Sequence, residues 1–461
     1  MRWRRGPILA LLLGLASCAA PESGPRLLLL VTVDTLRADY LGAFGSDRGL
    51  TPNLDALARE SLVFTSAYAP SSHTLPSVAS IFTGRYPEEL GIWSNLSVLP
   101  PGTPTLTRDL RDAGWNTAAV VSSWILRDVS GLARDFASYD QELPQLEATR
   151  PFPERAGGDT TRAALQALDA CLPKPADRCF LWVHYQDPHG PYTPPGDRRE
   201  RHLAQERARA DGARRLPPLA DNFSPSGIPL YQYLDGQQEV AFYRAGYAGE
   251  VEYLDEEVGA LLAGLTDRGL VGDAAIVFTA DHGESLGEHD YWFGHGELLS
   301  EEQVRVPLIV HAPDLAPGRR DDLASLIDLW PTLADHVLGE SIPDGVSGRS
   351  LLAAGAEARD SEPYLATLQG STTPRFGLID REFKYVASRR DDVWDGRLTR
   401  RGQDAPDLTA PAPQLAGEMR ERLIGLMERY RLTESESRSA VSEAELRQLE
   451  ALGYVDRATG E

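Results

Sequence analysis

Positive charge, cysteine and long apolar runs are all scarce in this chain of 461 residues, and each shortage removes a class of function. Lysine and arginine number 46 against 68 aspartates and glutamates, for a formal net charge of −22. Nucleic acids and anionic surfaces are held by clustered Lys and Arg, so no nucleic-acid partner is expected. An anionic substrate would need a local positive centre such as a metal ion. Beyond the first residues no apolar stretch is long enough to cross a bilayer as a helix, which excludes a bundle of membrane-spanning helices. Cysteine occurs only at Cys18, Cys171 and Cys179. At about 150 residues per domain the length allows two or three domains. No pattern points to a protein partner, and function has to be read from local motifs.

The N-terminus carries the first of these. Arg2, Arg4 and Arg5 precede the apolar run Ile8 to Ala16, which is too short to span a membrane and reads as a signal peptide. Leu15-Ala16-Ser17-Cys18 resembles a bacterial lipobox. Residues 1–17 are then the signal peptide, Cys18 the lipidation site and residues 18–25 a tether; an uncleaved anchor is the alternative. Loss of 1–17 removes three arginines and no acid, taking the charge from −22 to −25. The expected product is an exported lipoprotein, anchored to a membrane through its N-terminal lipid and facing the periplasm or cell surface. Export permits a Cys171–Cys179 bridge, but Pro173 and Pro175 constrain the loop and leave the pairing open.

Leu27 to Val33 is a continuous apolar run ending in β-branched residues, the pattern of a strand buried on both faces. The same pattern recurs at Thr117–Val121, Phe180–His184, Ala274–Thr279 and Val306–His311. Helical patterns lie between them. Thr51-Pro52 can cap and start a helix that buries Leu54, Leu57 and Ala58, and Tyr243 to Leu265 aligns Leu254, Val258, Leu261 and Leu265 on one stripe. Alternating strands and helices predict an α/β fold with a large, doubly wound, mainly parallel sheet. From about residue 356 the texture changes to short strand candidates at Tyr364–Leu368, Phe376–Ile379 and Phe383–Ala387. The expected division is a catalytic domain at 26–355 and, at 356–461, a small antiparallel sheet with a helical tail. That tail carries a capping box at Ser442 and Glu445 and stops at Gly453. Residues 190–232, rich in Pro, Gly and charge, read as an excursion at the rim of the site.

Ligands of open α/β sheets bind outside the carboxyl ends of the strands, where Asp34, His189, Asp281 and His282 all fall. A strand-end Asp alone is as often a turn residue as a ligand. The adjacent pair Asp281-His282 is a stronger sign of metal binding. Ser71-Ser72-His73-Thr74-Leu75-Pro76-Ser77 leads into a short helix ending near Gly84. Pro76 suits the first turn, so Thr74 is expected just outside the helix N-terminus, where free N–H groups favour an anion. It either caps that helix or acts as a nucleophile.

Val33-Asp34-Thr35-Leu36-Arg37, Thr51-Pro52-Asn53, Thr83-Gly84-Arg85-Tyr86-Pro87, Asp187-Pro188-His189-Gly190-Pro191-Tyr192, Asp281-His282-Gly283-Glu284 and Gly294-His295-Gly296 follow one another in a familiar order. In them the chain resembles the sulfatase family of the alkaline phosphatase superfamily, over residues 27 to about 355. The resemblance implies that Asp34, Asp281, His282 and Thr74 hold one divalent metal ion and that Thr74 occupies the nucleophile position. It also implies that His189 and His295 contact the anionic group or the leaving oxygen. Calcium is the usual ion of that family, while the imidazole at His282 makes manganese or zinc alternatives.

The departures carry as much information. In the family the nucleophile position opens a Cys/Ser-x-Pro-x-Arg motif whose first residue is oxidised to formylglycine. Threonine cannot give that aldehyde, so no formylglycine is expected here. Val78 stands at the arginine, and Ser122 and Trp124 at a Lys-x-His pair. Fewer positive groups disfavour dianionic phosphate monoesters and favour sulfate monoesters and phosphodiesters. A threonyl ester must be cleared by water attacking the central atom, which phosphorus tolerates better than sulfur. No Asp-x-x-x-His pattern of the second zinc site of two-metal phosphodiesterases is present. The expectation is therefore a metal-dependent hydrolase of a sulfate or phosphate ester, on a small-molecule, glycan or lipid substrate, with phosphodiester chemistry favoured. The alternative is a catalytically silent surface lipoprotein that binds an anion or glycan.

Overall fold

The computed structural model describes residues 24–149, 152–220, 226–234, 236–339, 345–353, 363–367, 374–390 and 393–430. Cys18 and the expected Ser442–Glu445 capping box lie outside them. A central sheet is built from β1 Leu27–Val33, β2 Leu62–Tyr68, β3 Asn116–Val121, β4 Ser138–Asp140, β5 Cys179–Tyr185, β6 Ala274–Ala280, β7 Arg305–His311 and β8 Gly318–Ser325. Its order is β8-β2-β7-β6-β1-β5-β3-β4. Neighbours run parallel except β7, which is antiparallel to both β2 and β6. β1 lies at the middle with Val33 in register with Ala280 on one side and Tyr185 on the other. All three central strands are buried throughout, which is why they read as unbroken apolar runs. Their carboxyl ends open at one edge, and the segments after them meet there.

Helices flank the sheet, α1 Pro52–Arg59, α2 Thr74–Thr83, α3 Gly157–Cys171 and α5 Val240–Asp267, while α4 Arg198–Arg207 packs on α5. α5 buries Leu254, Val258, Leu261 and Leu265, the expected stripe, and extends beyond the expected bounds at both ends. α1 buries Leu54 and Ala58, but Thr51 does not cap it. The N–H groups of Asn53 and Leu54 are taken instead by the Asp255 carboxylate of α5, at 3.0 and 2.8 Å, while the Thr51 hydroxyl turns to Asp55. The 190–232 excursion contains α4, which lies along α5. Gly249 permits the approach: a Cβ there would come within 2.8 Å of Pro194 and 3.0 Å of Arg198.

The C-terminal part is an antiparallel sheet of β9 Tyr364–Thr367, β10 Arg375–Ile379, β11 Phe383–Arg390 and β12 Val393–Arg400, covered by α6 Pro413–Tyr430. Met419 and Leu423 of α6 pack on Tyr385 and Leu398. No helix among the described residues is long and apolar enough to cross a membrane.

Cys171, at the end of α3, and Cys179, at the start of β5, form a disulfide. The loop it closes spans a separation of 8 residues. Replacing both cysteines by Ala is expected to lower the unfolding free energy by about 2–3 kcal/mol, by the loop-entropy relation. An unchanged denaturation midpoint would show that the bridge does not stabilise the fold.

Candidate active site

Asp34 follows β1, and Asp281 and His282 follow β6, on adjacent strands. Backbone bonds carry the ladder one step past the strand ends, from Asp34 N to Tyr185 O at 3.0 Å and from Asp281 N to Val33 O at 3.1 Å. One ligand atom from each of Asp34, Asp281 and His282 lies within 4.8 Å of the others, and all three residues are buried. Asp281 Oδ1 accepts the N–H groups of His282 at 2.7 Å and Thr35 at 3.3 Å, while its Oδ2 has no hydrogen-bond partner. Asp34 Oδ1 is likewise unpartnered. His282 Nδ1 lies 2.9 Å from Gly283 O. A carbonyl only accepts, so Nδ1 carries the proton and Nε2 offers a lone pair to the acids, 3.8 Å from Asp34 and 3.7 Å from Asp281.

Burial, helped by the charge of Glu284 and opposed by His295, raises Asp34 from 3.8 to about 7. Burial and then Asp34 raise Asp281 well above its ordinary range. Burial and then His295 hold His282 well below its own, as a neutral imidazole. Two dehydrated carboxylates with vacant oxygens and a neutral imidazole form a donor set that fits a divalent cation. The sign of the pH effect follows. Between 3.8 and about 7 the folded, metal-free chain holds a proton on Asp34 that the unfolded chain has released. Metal-free stability therefore falls as pH rises through that window. Metal must displace this proton, so the rise in Tm on adding metal is expected to be larger at about pH 8 than at about pH 5.5. Thermal melts at the two pH values check this; a pH-independent increment contradicts it.

Thr74 is the first residue of α2 rather than the residue outside it. His73 takes the cap position, with φ −125 and ψ 144 and no side-chain cap bond. The Thr74 hydroxyl is thus not a helix cap. It lies 3.4 Å from His282 Nε2, at the cluster of acids. α2 is buried along its whole length, and Ser77 Oγ donates to Asp281 O at 2.6 Å, which ties the helix to the ligand loop.

The two other expected histidines close the site. The His295 ring stands 4.6 Å from that of His282 and 5.2 Å from that of His189. Tyr231, near the end of the 190–232 excursion, flanks His189 at 5.9 Å. Glu284 Oε2 lies 3.3 Å from His295 Nδ1. Burial opposes protonation of His295, but Glu284, its hydrogen bond, and the charges of Asp34 and Asp281 outweigh it and raise the pKa. Thr35 is held at φ 55, unusual for a β-branched residue, because Tyr247 of α5 donates to Thr35 O at 2.8 Å and accepts from Arg37 N at 3.0 Å. The Arg37 guanidinium reaches Glu284 O at 3.2 Å and Glu288 at 2.8 Å, joining the first ligand loop to the second.

A family model described as Sulfatase matches residues 26–339. The chain belongs to the sulfatase family. It is 26% identical over 406 residues to choline-sulfatase of Rhizobium meliloti strain 1021, covering 79% of this chain and 78% of that protein. Iduronate 2-sulfatase of Homo sapiens is 29% identical over 387 residues, covering 66% and 68%. Among solved structures, phosphonate monoester hydrolase of Agrobacterium radiobacter shares the fold with a TM-score of 0.68 at 19% identity, over 91% of this chain and 98% of that one. Membership makes the chain a sulfatase-family ester hydrolase, a family whose named relatives here are sulfatases.

As a member of the sulfatase family it is short of cations. Val78 is fully buried, the Ser122 hydroxyl is 2.6 Å from that of Thr160, and the Trp124 ring is covered by Arg127 at 3.8 Å. Three residues beside the ligands escaped the sequence reading. Glu284 was visible in its motif but without a partner, since His295 returns to it through the hairpin of Ser285–Leu286 and Trp292–Gly294. His73 is buried with both ring nitrogens unpartnered, against Gly296, where no side chain would fit. His184 was hidden as the end of an apolar strand.

Proposed function

We propose that this sulfatase-family chain is a single-metal hydrolase of a sulfate or phosphate ester in which Thr74 is the nucleophile, with phosphodiesters favoured. The observation that carries the reading is the Thr74 hydroxyl, 3.4 Å from His282 Nε2, at a cluster of buried ligands. Asp34, Asp281, His282 and Thr74 would hold the ion, calcium by family habit, or manganese or zinc. When bound, the ion supplies Lewis acidity to the ester and lowers the proton affinity of the Thr74 hydroxyl. Thr74 Oγ1 attacks phosphorus or sulfur as its proton passes to solvent water, and the bond to the leaving oxygen breaks as that oxygen takes a proton from His295 or His189. Protonation of His295 is favoured by Glu284, as its raised pKa states. Water then attacks the same atom, giving a proton back to that histidine, and expels the threonine oxygen, which takes a proton from solvent.

A panel of sulfate monoesters, phosphate monoesters, phosphodiesters and phosphonate monoesters, offered to the metal-loaded chain from residue 18 onward, tests the reading. The expected result is turnover of a singly charged ester, lost with chelator and restored by metal. Tight anion or glycan binding without turnover of any member would favour the silent lipoprotein instead. Lipidation at Cys18 and export to the periplasm or cell surface belong to the same proposal. Cys18→Ser is expected to release the protein from the membrane fraction of native cells; an unmodified N-terminus at Met1 would contradict it.

A further inference from the structure

Beneath Asp34 the sheet carries three polar side chains that the ester chemistry does not use. β1 and β5 are parallel, with Thr32 opposite His184. The two-residue period of a strand places Trp182 with His184, and Thr32 with Asp34, on one face. Trp182, Thr32 and His184 have no solvent exposure, and a buried polar group is destabilising unless something uses it. Trp182 Nε1 donates to Thr32 Oγ1 at 2.8 Å, and Thr32 Oγ1 lies 2.8 Å from His184 Nδ1. An indole N–H can only donate, so the Thr32 oxygen accepts from Trp182; its own buried proton then needs an acceptor, and His184 Nδ1, its other hydrogen-bond partner, is the one at hand. With Nδ1 as acceptor, the ring proton sits on Nε2. That atom has no hydrogen-bond partner and lies 3.8 Å from Asp34 Oδ2. The other oxygen, Oδ1, is the one that faces His282.

We propose that His184 is a positioning residue of the metal centre: the Trp182–Thr32–His184 relay aims an N–H at Asp34 Oδ2 and so holds Oδ1 toward Asp281 and His282. The inference rests on the reading of Asp34, Asp281 and His282 as metal ligands. Partners in such an outer position typically change metal affinity by about 10–100-fold when removed.

The test is titration of the full chain with calcium chloride, and in parallel manganese chloride, followed by calorimetry and by the rise in Tm. His184→Leu is expected to weaken binding by about 10–100-fold. His184→Gln, which keeps an N–H near the Nε2 position, is expected to restore most of it. Thr32→Val, nearly isosteric, carries the test if His184→Leu does not fold; it removes the donor to Nδ1 and is expected to weaken binding several-fold. A long-range proton–nitrogen spectrum of the parent is expected to show His184 protonated at Nε2, an outcome independent of metal. Protonation at Nδ1, or parental affinity in both His184→Leu and Thr32→Val while Asp281→Ala loses binding, overturns the role of His184 and leaves the ligand reading intact. A parent chain that binds neither of these ions, nor zinc offered as zinc chloride, overturns both.

Discussion

Thr74→Ala is expected to fold, to keep the ion through Asp34, Asp281 and His282 at reduced affinity, to bind the ester, and at saturating metal to lose turnover by about two or more orders of magnitude, the loss that follows removal of a nucleophile. The fold should survive because the helix cap is His73 and α2 is anchored by Ser77 and by burial, so the lost hydroxyl serves no structural bond beyond its approach to His282. Thr74→Ser keeps a hydroxyl and is expected to retain partial activity. A kcat in Thr74→Ala equal to that of the parent would assign the attack to water and reduce Thr74 to a bystander.

Asp281→Ala is expected to abolish both turnover and the metal-dependent rise in Tm. This side chain carries one vacant oxygen and, through its other oxygen, takes the N–H groups of Thr35 and His282. Its removal therefore takes away a ligand and frees both flanking turns. The metal-free variant should not be greatly less stable than the metal-free parent, because burial and the neighbouring Asp34 both oppose ionisation of Asp281 in the parent, a cost that the variant does not carry. The difference should appear on loading, where a ligand at about 100 times its Kd stabilises by about 2.7 kcal/mol. Equal Tm increments in variant and parent would mean that the ion sits elsewhere.

The central strands were legible because both faces are covered and all but a few positions, Thr32, His184 and Thr279 among them, are apolar. β8 was not. It is an edge strand whose sequence from Gly318 to Asp322 is polar and largely exposed, so burial leaves no trace there. β12 alternates between exposed and half-buried positions, which removes the run that marked β1 or β6. The cap of α1 was misread for a related reason: its carboxylate, Asp255, comes from a helix about two hundred residues further along the chain, and Thr51 has the right residue type without the bond. At the site, Asp34 and the Asp281-His282 pair stood out because they end apolar strands. His184 lies inside such a strand, where an imidazole passes for one more buried position. Glu284 and His295 lie eleven positions apart and meet only through a hairpin, so their pairing was not legible. Thr74 was legible as the residue at the head of a helix, and setting aside the cap reading needed the backbone of His73.

The nature of the nucleophile is tested most directly by rapid-quench peptide mapping during turnover of whichever ester the panel selects. A phosphoryl or sulfuryl group on the peptide containing Thr74, present transiently in the parent and absent from Thr74→Ala, is the predicted result. Turnover by the parent with that peptide unmodified at every time point, or with the group on a different residue, would contradict it.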